Sequence, residues 1–190
     1  MRRKRVVIVT RCDPCSLTFY AAYPLRSIPE RLASCWFPVN LRERMSLDTQ
    51  AKLAIYRHFA ETGQRPSLQT VVERVGADVS SVREAFIRLR GQRVLVLEPD
   101  GESIRMAPPF SGVPTQHVVI VDETKYFANC AWDSFGIPAA LHRPGKVHSR
   151  CEQSGEPLNL EIGLEGPPPC SWLFHCLVPA AKWWDDIVFT

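Results

Sequence analysis

No stretch of this 190-residue chain approaches the ~18 consecutive apolar residues that a membrane-spanning helix needs. The start, Met1-Arg2-Arg3-Lys4-Arg5, is basic like the head of a secretion signal. Its apolar run, Val6 to Thr10, stops at Arg11, short of the ~7–15 residues of a signal core. The chain therefore reads as cytoplasmic, with no membrane partner. A second cysteine pair at zinc-ribbon spacing is also missing. Cys12-Asp13-Pro14-Cys15 stands alone, half of a four-ligand site. Nor is there a uniformly basic body. The formal charge is +3, but residues 1–45 carry +6 and the remainder −3. The part that folds lacks the basic stripe of a nucleic-acid reader, so no nucleic-acid partner is expected.

Hydrophobic residues make up 45 % of the chain, an ordinary globular share that argues against global disorder. The length suits one or two small domains. The seven cysteines of a cytoplasmic chain point to thiols, metal or reactivity rather than a disulfide framework. Residues 1–45 show no sustained period and read as a poorly ordered extension. From Ser46 the pattern becomes regular. Leu47, Ala51, Ile55 and Phe59 mark a helix to about Glu61, and Leu68, Val71, Val72 and Val75 a second, closed by Gly76. Ser81-Val82-Arg83-Glu84 fits a capping box opening a third. Val94–Leu97, a Pro99-Asp100-Gly101 turn and Ile104–Met106 read as a hairpin. Together they predict a winged-helix-like unit over 46–108. A Pro-rich linker, 108–114, then leads to a domain over 109–190. Its strands are expected at 118–121, 146–151, 158–162 and 171–178. The fold class is α+β: a helical unit followed by a small mixed sheet with short helices.

The chemistry concentrates between Tyr126 and Cys151. In Asn129-Cys130-Ala131-Trp132-Asp133 a thiol and a carboxyl stand three apart in what reads as the first turn of a short helix. Asn129 suits the N-cap, and Pro138 suits the helix end. Cys130 then sits where the helix dipole favours negative charge, which lowers a thiol pKa. Residues three apart share a helix face, so Cys130 and Asp133 can address one small ligand.

This stretch resembles the organomercurial (alkylmercury) lyase family. The resemblance rests on Cys130-Ala131-Trp132-Asp133, Pro138-Ala139, Cys151, and Gly155-Glu156-Pro157-Leu158. The flanks Pro108-Pro109-Phe110-Ser111 and Trp183-Trp184-Asp185-Asp186-Ile187 also fit. It implies an enzyme that cleaves the carbon–mercury bond of R–Hg⁺ by protonolysis to a hydrocarbon and Hg²⁺. Cys130 matches the first catalytic cysteine and Asp133 the proton-carrying aspartate. Cys170 is taken as the second mercury-binding cysteine, with Cys176 its rival, and Cys151 matches a structural cysteine. Cys130, Cys170 and Asp133 would then form the mercury site. No organic cofactor is implied. The partners implied are an organomercurial small molecule, external thiols that assist release, and a mercuric reductase that receives Hg²⁺. Asn129 departs from the family, which places an aromatic residue before the first cysteine.

Two other classes remain in view. A non-catalytic soft-metal binder or regulator would follow if no second sulfur lies near Cys130. A winged-helix DNA-binding protein would use Arg83, Arg88, Arg90 and Arg93, against a surface that also carries Glu73, Asp78, Glu84 and Glu102. At Cys151, Ser154 stands where a zinc knuckle would have its second cysteine, so a zinc site there looks broken.

Overall fold

A computed structural model describes residues 45–151, 153–169 and 178–188. The expectations for residues 1–44, for the strand over 171–177, and for Cys170 and Cys176 lie outside these residues. Among the described residues no helix is long and apolar enough to cross a membrane.

Three helices come first: α1 (Leu47–Thr62), α2 (Leu68–Val75) and α3 (Val79–Gly91). Serines open α1 and α2: Ser46 accepts the Thr49 N–H and Ser67 the Thr70 N–H. Gly63 and Gly76 close them in the left-handed conformation. The capping box expected at Ser81 is not the start of α3. Asp78 caps the helix instead, taking the Ser81 N–H at 2.9 Å. It also accepts both the Ser80 and Ser81 hydroxyls, which holds its carboxyl well below the usual range. The helix thus starts one turn earlier than the serine pattern suggests, and Ser81 falls inside its first turn.

A three-stranded antiparallel sheet follows, in the order β1 (Val96–Leu97), β2 (Ile104–Ala107), β3 (Phe110–Ser111). β3 lies where the sequence predicts only a linker. Phe110 explains this, because it is 3 % exposed and stacks on Phe59 of α1 at 5.3 Å between ring centroids. A second sheet, four-stranded and antiparallel, comprises β4 (Val118–Val121), β5 (Thr124–Phe127), β6 (Gly145–Arg150) and β7 (Pro157–Ile162), in the order β5-β4-β6-β7. β5, unpredicted, is the strand that delivers the chain to the thiol. Between β5 and β6 runs α4 (Ala131–Leu141), which packs on β4 and β6. Pro138 does not end it. The helix carries this buried proline inside and stops at His142, at φ 52°. A proline in the third turn forgoes one intrahelical N–H bond, and burial of the ring offsets the loss.

Within residues 46–172 one apolar core joins the helices to both sheets, through Phe59, Phe86, Phe110, Val119, Tyr126 and Ile137. The fold is α+β. Residues 178–188 belong to a separate compact unit. They form a short 3-10 helix, Ala180–Asp185, with the Trp183 indole donating to the Val178 carbonyl at 2.8 Å.

Candidate active site at the start of α4

The approach to α4 is pinned from several sides. The Tyr126 hydroxyl donates to the Ala60 carbonyl at 2.7 Å, tying β5 to the end of α1. Gly63 lies so close to β5 that a Cβ there would stand 2.1 Å from the Lys125 carbonyl oxygen. The buried Ala128 donates its N–H to His117 and accepts the Thr115 hydroxyl at 2.7 Å. Asn129 and Cys130 follow with little freedom to move.

Cys130, not Asn129, occupies the N-cap of α4. Its backbone is extended (φ −150°, ψ 179°), and its side chain makes no capping bond. Its carbonyl accepts both the N–H and the hydroxyl of Ser134, each at 3.2 Å. Asn129 is drawn elsewhere. Its Nδ2 lies 2.8 Å from Asp133 Oδ2 and 3.3 Å from the carbonyl oxygens of both Pro109 and Phe110. A cap needs the amide oxygen turned onto the helix; three acceptors on one side turn the nitrogen there instead.

Asp133 sits in the first turn of α4, half-buried. Burial pushes its carboxyl above the ordinary range, and the Asn129 hydrogen bond pulls the other way with less effect. The helix start also favours a carboxylate. Tyr56 of α1 completes the wall. Its hydroxyl donates to the Pro108 carbonyl at 3.1 Å, and its ring meets Phe110 edge-on at 6.3 Å. The tyrosine is raised by burial and then by the Asp133 charge. Gly136, one turn on from Asp133 along α4, lets the helix approach this segment: a Cβ there would stand 3.0 Å from Pro109 Cβ.

The structure thus places Cys130 and Asp133 three residues apart at the start of α4. Cys170, the expected second sulfur, lies outside the described residues. Cys151 stands in the β6–β7 turn. The Ser154 hydroxyl and the N–H groups of Ser154 and Gln153 lower its thiol pKa. Among the described residues no group of three or more His, Cys, Asp or Glu side chains could hold a metal ion. Sequence reasoning took Asn129 as a helix cap and missed Tyr56 and the Pro109 and Phe110 carbonyls. A polar residue flanking the Cys-x-x-Asp pattern was a signal for the first. None existed for Tyr56, which stands 77 residues upstream of Asp133.

The start of α4 thus carries a thiol and a half-buried carboxyl three residues apart on an α+β scaffold. The profile of the alkylmercury lyase family matches residues 110–190. Alkylmercury lyases of Bacillus cereus and Clostridium butyricum are each 25 % identical over 100 residues, 53 % of this chain and 44 % of theirs. One of Streptomyces lividans is 33 % identical over 104 residues, 52 % of this chain and 48 % of its own. The chain spans about half the length of these curated relatives. The crystal structure of the mercury-bound form of MerB2 overlays on 66 % of each chain at 20 % identity, with a TM-score of 0.49. Residues 110–190 carry an alkylmercury lyase family domain.

Proposed function

We propose that this chain is an organomercurial lyase-like enzyme that cleaves R–Hg⁺ by protonolysis. One observation carries the reading: a carboxyl held above its ordinary pKa by burial stands three residues after a thiol at one helix start, inside the family domain. Mercury is soft and prefers sulfur, so the Cys130 thiolate binds the metal of R–Hg⁺. Asp133 gives its proton to the carbon. The electron pair of the carbon–mercury bond becomes the new carbon–hydrogen bond, the hydrocarbon leaves, and Hg²⁺ stays on sulfur. Solvent then returns a proton to Asp133. A second thiolate strengthens the grip on mercury, and Cys170 is the residue proposed for it on sequence grounds. The proposed substrate is a small organomercurial. External thiols draw off Hg²⁺, and a mercuric reductase is the proposed recipient. The reaction as written calls for no organic cofactor.

In this reading residues 46–108 form a winged-helix-like unit that serves as scaffold for a catalytic domain over 109–190. Their arginines favour this over DNA binding. Arg83 pairs with Glu102 at 2.6 Å, and Arg88 with Asp48 at 2.8 Å and Glu84 at 3.5 Å. The test is benzene release from phenylmercury in excess thiol. The native protein should release benzene, and Cys130→Ser and Asp133→Ala should not. A folded native protein that binds one mercury without releasing benzene overturns the enzyme reading in favour of a soft-metal binder.

A further inference from the structure

We infer that Asn129 is a positioning residue: it locks one oxygen of Asp133, Oδ2, as a hydrogen-bond acceptor and leaves Oδ1 as the oxygen that hands over the proton. This rests on the reading of Asp133 as the acid, and it concerns the residue at which the chain departs from the resembled family.

The argument is geometric. Three acceptors converge on Asn129 Nδ2: Asp133 Oδ2 at 2.8 Å and the Pro109 and Phe110 carbonyls at 3.3 Å. Two of the three are backbone oxygens, which can only accept. A flipped amide would set its own oxygen against both carbonyls, so Nδ2 keeps facing them whatever the state of Asp133. The contact to Oδ2 at 2.8 Å is the shortest of the three, which makes Oδ2 the accepting oxygen and leaves Oδ1 to carry the proton. Asn129 is itself held by the pinned stretch around Ala128, and its own Oδ1 is buried with no hydrogen-bond partner among the described residues. A buried acceptor left unsatisfied costs free energy.

Two measurements test the inference. In the native protein, the Asn129 side-chain amide should give one strongly deshielded N–H proton by NMR. That signal should move in Asp133→Ala and persist in Asp133→Asn, whose carbonyl can still accept. In turnover, Asn129→Ala and Asn129→Ser should lower kcat for phenylmercury roughly 10–100-fold, the scale of a misplaced reacting group, with KM unchanged. An amide signal indifferent to Asp133→Ala overturns the inference, and so does an unchanged kcat in a folded Asn129 variant. If the alanine variant fails to fold, the amide signal of the native protein still decides. A positive amide signature in a protein that never releases benzene upholds the positioning and overturns the lyase reading.

Discussion

Replacing Asp133 by Asn separates the chemistry of the site from its stability. The new side chain has nearly the same shape, and its carbonyl can accept the bond that Asn129 now gives Oδ2 at 2.8 Å. The fold loses no contact that the structure records, but the acid is gone. A positioned general acid contributes about 10²–10⁴ in rate, or about 3–5 kcal/mol of barrier at ~1.36 kcal/mol per decade. Benzene release should fall by that factor with mercury binding retained. Stability should move the other way. The Asp133 pKa is raised in the folded protein, because burial penalises the charged form. Its contribution to stability is then fully present below the unfolded value of about 3.9 and is lost as pH rises through the folded value. Asparagine carries no such penalty. The melting temperature of Asp133→Asn relative to the native protein should therefore rise between acid and neutral pH. Melting curves at pH 3 to 8 read this directly. A difference that stays flat or falls across that range refutes the buried-acid reading, and retained turnover refutes the catalytic one.

The other expectations are simpler. Cys130→Ser should lose mercury binding yet gain up to about 1 kcal/mol in urea unfolding, because a serine at this extended N-cap can accept the helix N–H that the thiol leaves. Gly63→Ala should lower the urea midpoint by the equivalent of at least about 2 kcal/mol. It forces a left-handed alanine at φ 69° and drives a Cβ to 2.1 Å from the Lys125 carbonyl. Tyr56→Phe should cost about 1 kcal/mol in the same assay, the worth of its bond to the Pro108 carbonyl. Ser154→Ala should slow alkylation of Cys151 near neutral pH, read by mass spectrometry of the modified peptide, because the Ser154 hydroxyl is the largest of the groups lowering that thiol.

Much of the backbone was legible because its signals are local. The periodicity of Leu47 to Phe59 and the glycine after Val75 predicted α1 and α2 nearly to the residue. The alternation in 158–162 predicted β7. The misses arose where a distant partner outweighs a local rule. Pro108 to Pro114 looks like a linker until Phe59 supplies a ring for Phe110 to stack on. Asn129 looks like a cap until two carbonyls nineteen and twenty residues away compete for its amide. Pro138 looks like a stop until its burial within α4 offsets the missing bond. The Cys130–Asp133 spacing needed no tertiary context, since four consecutive residues fix it. What raises the Asp133 carboxyl did need it, because its burial depends on tertiary packing.

At the start of a helix the default state of an aspartate is the carboxylate, favoured by the dipole and here also by the Asn129 N–H. An acid placed there must be kept from water more strongly than these two effects stabilise its charge. The structure shows where that opposition comes from. Tyr56 of α1 and the Pro108–Phe110 segment stand against α4, and consecutive carbonyls of that segment are tied down by Tyr56 and Asn129. Two of the three residues are prolines, which bring carbonyls and no N–H to the site. The two prolines therefore bring only acceptors, and the Tyr56 hydroxyl is engaged with the Pro108 carbonyl. Through Tyr56 and the Phe59–Phe110 stack, α1 holds this segment in place beside α4. A polar, water-filled gap in its place would leave the dipole and Asn129 unopposed, and the Asp133 carboxyl would lose the burial that raises it.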